Sequence, residues 1–82
     1  MKDSGDYPFD PSLLRTTPLG EERIRRHLHL GEEVEVLPYC RDIIRRNQCT
    51  FERKGKNWYM TAGPARFTIH AGSLTIITVR LI

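Results

Sequence analysis

The stretch Val36-Leu37-Pro38-Tyr39-Cys40-Arg41-Asp42-Ile43-Ile44-Arg45-Arg46-Asn47-Gln48-Cys49-Thr50-Phe51-Glu52-Arg53 contains the change of period that decides the fold. In its first part Val36, Leu37, Cys40, Ile43 and Ile44 recur at i, i+1, i+4, i+7 and i+8, the buried stripe of a helix. The spacing predicts a helix over residues 35–46, ended by Asn47. Pro38 is tolerated because it falls in the first turn, where backbone N–H groups lack helical partners. From Cys49 onward the period is two. Thr50-Phe51-Glu52-Arg53 and Trp58-Tyr59-Met60-Thr61 flank Lys54-Gly55-Lys56-Asn57 and read as a hairpin.

Upstream, Thr17 is placed to cap a first helix, with Pro18 at its first position and Glu21 and Glu22 near its positive end. Arg26, His27 and His29 fall in its last turn and Gly31 is the expected C-cap. Ile24 and Leu28, with Leu19 and Leu30, form its expected buried stripe. Residues 1–15 read as an extended arm. Pro8 and Pro11 deny it a helix, and Tyr7, Phe9, Leu13 and Leu14 give it apolar handles.

Downstream, a third strand over residues 66–71 places Phe67 and Ile69 on one face. Gly72-Ser73 turns the chain into a fourth strand over 74–82, rich in β-branched residues. Its more apolar face is Thr75, Ile77, Val79 and Leu81, leaving Leu74, Ile76, Thr78 and Arg80 opposite. The expected architecture is therefore α+β: two N-terminal helices packed on one face of a four-stranded, mainly antiparallel sheet. Residues 16–82 form one domain and 1–15 the arm.

Composition agrees. A chain of 82 residues has room for one domain, and 39% hydrophobic residues is too apolar for a disordered one. No apolar run reaches the length of a membrane helix, and Met1 to Asp6 lacks the apolar core of a signal peptide, so the expected compartment is the cytoplasm, without a membrane partner. Cys40 and Cys49 then read as free thiols. The net charge is only +3, but Arg23-Arg25-Arg26, Arg41-Arg45-Arg46 and Arg53-Lys54-Lys56 concentrate it locally.

Strand alternation supplies the candidate chemistry. With Phe67 and Ile69 toward the helices, Arg66, Thr68 and His70 face away. Glu52 and Lys54 join them if Phe51 points inward, and Arg80 joins from the last strand. Glu52, Arg66, His70 and Arg80 are the residue types of metal-free RNA cleavage: a proton-transfer pair and cations for the phosphate. The same residues on a solvated face would simply keep the protein soluble. Arg53, Lys54 and Lys56 at the hairpin tip, beside Trp58 and Tyr59, suit phosphate contact and base stacking, and Arg45 and Arg46 extend the basic surface. His27 and His29 point in different directions, and no phosphate loop, dinucleotide fingerprint, nucleophile elbow or zinc spacing occurs, so neither a metal nor a cofactor is expected.

Through Thr16-Thr17-Pro18-Leu19-Gly20 with Arg23-Ile24, Tyr39-Cys40 with Ile43, Arg53-Lys54-Gly55-Lys56-Asn57-Trp58-Tyr59 and Thr75-Ile76-Ile77-Thr78, the chain resembles a family of short bacterial proteins of unknown function. The resemblance covers nearly everything after residue 15 and implies no activity. The ααββββ order also looks like that of the RelE and barnase group of small toxin ribonucleases, an analogy of topology alone.

The expectation from these readings is a small basic nucleic-acid-directed protein, of the toxin-like, metal-independent endoribonuclease type. Its partner would be RNA or DNA, or a nucleic-acid-processing protein. The alternatives are a phage or mobile-element protein that binds and inhibits another protein, as anti-CRISPR proteins do, and a homodimeric interaction module.

Overall fold

A computed structural model describes residues 7–82; residues 1–6 of the expected arm lie outside the described residues. Two helices, α1 (Pro18–His27) and α2 (Val36–Arg46), precede four strands, β1 (Cys49–Lys54), β2 (Asn57–Ala62), β3 (Ala65–His70) and β4 (Thr75–Leu81). The strands lie in sequence order, each antiparallel to its neighbour. This is the α+β arrangement the change of period predicts.

The Thr17 hydroxyl accepts the Gly20 N–H at 3.0 Å, and Pro18 opens α1 where a missing N–H breaks no bond. Gly20, Ile24 and Leu28, four residues apart, form the buried stripe. A Cβ at Gly20 would lie 3.1 Å from the Thr17 hydroxyl oxygen, a tight approach, so glycine leaves room for the capping hydroxyl. Leu19, expected in the stripe, is 72% exposed, because it lies about 140° around the helix from Ile24. Gly31 is not the cap either. The chain reverses at His29, whose φ is 57°; His29 N–H bonds the Arg26 carbonyl at 3.3 Å and Leu30 N–H the Arg25 carbonyl at 2.9 Å. That pair of bonds is a Schellman closure, completed two residues earlier than the glycine suggested.

In α2 the buried positions are Val36, Cys40 and Ile44, with Leu37 and Ile43 half-buried on the flanks. They meet Met60, Phe67, Ile69, Ile76 and Val79 from the sheet, all fully buried. Burial pushes the Cys40 thiol up to about 12.

Residues 7–15 of the arm complete this layer, and they are not extended throughout: Pro11–Leu13 form a 3-10 turn that Pro11 opens at its first position and the Asp10 side chain caps. Tyr7 and Phe9 each meet Phe51 edge-on at 5.8 Å, and Phe9 lies 6.3 Å from Trp58. The Tyr7 hydroxyl donates to the Ile44 carbonyl at 3.3 Å. Leu14 is buried, and Arg15 pairs in parallel with the start of β4, its N–H on the Leu74 carbonyl at 3.0 Å and its carbonyl accepting Ile76 N–H at 2.7 Å. From α2, Arg41 donates to the Ser12 and Leu14 carbonyls at 3.1 and 2.9 Å. Residues 7–15 therefore cross the helix side of the sheet from β1 to β4.

The face assignment of β4 needs correction. The ladder pairs Thr68 with Thr78 but Ile69 with Ile76, so Ile77 is an extra residue, a β-bulge. The bulge reverses the alternation. Ile76 and Val79 are both fully buried, and Ile77, expected to be a buried residue, is only half-buried. Strict alternation is right for Val79 and wrong for Ile77 and Ile76.

Candidate nucleic-acid interface

Because Phe51, Met60, Phe67 and Val79 pair across the sheet on the helix side, their neighbours form three cross-strand rows on the other face. The first row is Thr50, Thr61, Arg66 and Arg80. The second is Glu52, Tyr59, Thr68 and Thr78. The third is Lys54, Asn57, His70 and Thr75. Both helices and residues 7–15 occupy the opposite side.

Arg66 and Arg80 are directly opposite each other, and both are exposed. Like charges so placed repel. Among the described residues no carboxylate lies within ion-pair distance of either; the pairs present are Arg26–Glu22, Arg45–Asp42, Arg46–Asp42 and Lys54–Glu52. The Arg66 guanidinium lies over the Tyr59 ring, 5.5 Å from its centroid. Tyr59, Arg66, Thr68, Thr78 and Arg80, with Leu81 and Ile82 at the end, line a shallow concavity of about 500 Å³. His27 of α1 reaches the outer edge of β4, its Nδ1 3.2 Å from the Val79 carbonyl and 3.3 Å from the Thr78 hydroxyl. A proton on Nδ1 serves the carbonyl; a proton on Nε2 leaves Nδ1 to accept from Thr78.

The predicted residues divide. Arg66, Arg80, His70, Glu52 and Lys54 all lie on the open face. His70 and Glu52, however, are two strands apart and two residues out of row, about 12 Å between Cα atoms from sheet spacings. Each is engaged locally. Ser73 N–H and the Ser73 hydroxyl lie 3.3 Å from His70 Nδ1, closing the β3–β4 turn, and Glu52 pairs with Lys54 at 3.7 Å. Arg53 points to the helix side, 5.4 Å from the Trp58 centroid, with its Nε on the Gly55 carbonyl at 3.0 Å. Arg45 and Arg46 share Asp42 on α2, at 3.8 and 3.1 Å. Lys56 is exposed in the β1–β2 turn. The basic residues expected to act together thus belong to two opposite faces. The sequence named Tyr59 only as a stacking aromatic beside the hairpin tip, and gave Thr68 and Thr78 no role beyond their place on the outward face. Their signal was the parity of β2 and β3, which sends Tyr59 outward once Trp58 points in.

Residues 11–80 match the family described as a protein of unknown function (DUF3781), and the chain belongs to that family. The match begins at Pro11, within the arm. No curated protein and no solved structure matches the chain.

Proposed function

We propose that this member of DUF3781 binds nucleic acid on the open face of its sheet, with Arg66 and Arg80 as the principal phosphate contacts. The observation that carries the reading is the opposed arginine pair beside Tyr59, which has no ion-pair partner among the described residues. Two guanidiniums held opposite each other raise the energy of the free protein and make no ion pair among the described residues. An anion between them removes the repulsion and gains charge-assisted hydrogen bonds. Lys54 and Lys56 continue the cationic surface toward the hairpin tip. The faces of α2 bearing Arg45 and Arg46 stand apart from it.

Binding is the core of this proposal and cleavage is not. A metal-free ribonuclease needs its acid and base on one phosphodiester, and the engagement of Glu52 with Lys54 and of His70 with Ser73 favours binding over that chemistry. Incubation of a generic RNA with metal chelated tests this directly: the reading expects intact RNA. Cleavage lost in His70→Ala would reinstate the toxin-like mechanism.

Fluorescence anisotropy with a labelled oligonucleotide tests the proposal. Affinity falls with salt, with a log–log slope of about −2 to −3 if three or four phosphates are neutralised on a single strand. Arg66→Ala or Arg80→Ala weakens binding for every sequence and lowers that slope by about 1. A wild type that fails to bind at low salt overturns the proposal and leaves the protein-inhibitor reading in front.

A further inference from the structure

Resting on that reading, we infer that the open face takes a single strand, with one base stacked on Tyr59 and the backbone passing from the arginine row to the row of Lys54 and His70. The order of the rows carries this. Arg66 and Arg80 put cations in the first row and Lys54 in the third, and the row between them holds Tyr59 with the hydroxyls of Thr68 and Thr78; its one carboxylate, Glu52, lies on the edge strand β1 and is paired with Lys54. Arg66 and His70 are four residues apart on β3, about 13 Å at the rise of a strand. One phosphate cannot touch both rows, whereas phosphates two steps apart on one chain can. The nucleotide between them then lies over the half-exposed Tyr59 ring, which Arg66 already braces.

A duplex fits the same surface poorly. Its bases are stacked on one another and offer no free face to Tyr59. Among the described residues the sheet's open face also presents no helix to enter a major groove; the concavity over Tyr59 is shallow and is lined by the arginine row and the row beside it. Stacking needs a base already unstacked, and every base has a face to offer. The inferred ligand is therefore a single strand recognised with little sequence preference. The shared chemistry is that of RNA and DNA strands, and the Thr68 and Thr78 hydroxyls are placed where a ribose 2′-hydroxyl could add hydrogen bonds.

The experiment compares a labelled uridine-rich RNA, the equivalent DNA strand and an RNA duplex of equal length, at one salt concentration. Wild type, Tyr59→Ala, Tyr59→Phe and Arg80→Ala are each tested. The expected result is tighter binding of single strands than of duplex. Tyr59→Ala should lose about 5- to 150-fold on single strands, the range for removing one stacked base, and Tyr59→Phe should keep wild-type affinity. Tighter binding of RNA than DNA would assign the threonine row to the 2′-hydroxyl, and equal binding would assign the site to the strand alone. Duplex bound as tightly as single strand, or Tyr59→Ala binding like wild type, overturns this inference; if Arg80→Ala still weakens binding, the open-face reading survives. Arg80→Ala without effect on any ligand overturns both.

Discussion

Replacing Arg80 by glutamine should raise the melting temperature of the free protein and weaken its binding to nucleic acid. Glutamine keeps much of the side-chain length and removes the charge. Arg66 and Arg80 are directly opposed, and Arg66 alone has the Tyr59 ring beneath it, so Arg80 is the cleaner residue to change. Opposed Cβ atoms lie about 5 Å apart, and two exposed guanidiniums splay further, to about 7 Å. At that distance two charges repel by about 0.6 kcal/mol at the dielectric constant of water. A Debye length of about 8 Å at physiological salt cuts this to about 0.25 kcal/mol. For a domain of this size, where 1 kcal/mol moves the midpoint by about 4–8 °C, the gain is about 1–5 °C and is largest at low salt. The assay is thermal unfolding of wild type and Arg80→Gln at low and high salt, beside anisotropy with a single-stranded oligonucleotide. A midpoint several degrees below wild type would refute the reasoning, since Arg80 would then be a structural cation. So would a gain that high salt does not diminish.

Three further outcomes follow from the packing. Ile76→Ala should lose about 2–5 kcal/mol in denaturant unfolding and Ile77→Ala much less, because the bulge buries the former and half-exposes the latter; equal losses would place the bulge elsewhere. Arg41→Ala should cost about 2 kcal/mol and speed hydrogen exchange at Ile76 N–H, since it removes both charged hydrogen bonds that hold the arm; unchanged exchange would show the arm docks without it. The Cys40 thiol is neutral in the fold up to about 12, against an ordinary value of 9.0. Its pKa is raised on folding, so its contribution is complete below about pH 9 and is lost as pH rises from there toward 12, at up to about 1.4 kcal/mol per pH unit. Cys40→Ala should flatten that alkaline slope, and an identical slope would assign the loss to other groups.

Much of the architecture was legible in the residues. The stripe Val36, Cys40, Ile44 and the alternation from Cys49 act through nearest-neighbour geometry, so spacing alone sets helix or strand and the face each presents. The same holds for the Thr17 cap and for the outward placement of Arg66, His70 and Glu52. Those features need only the local backbone period and the rule that apolar faces are buried.

What remained is set by contacts between elements. The bulge at Ile77 reflects how β4 must twist against β3 and α1, and nothing in Thr75-Ile76-Ile77-Thr78 marks which isoleucine turns inward. The helix reverses at His29 because Leu30 must reach the core, although Gly31 is the residue better suited to a left-handed conformation. Cross-strand register, which no single strand encodes, decided that Arg66 meets Arg80 while Glu52 and His70 stay two strands apart. A residue's face follows from its own strand, but its partner depends on every strand between them.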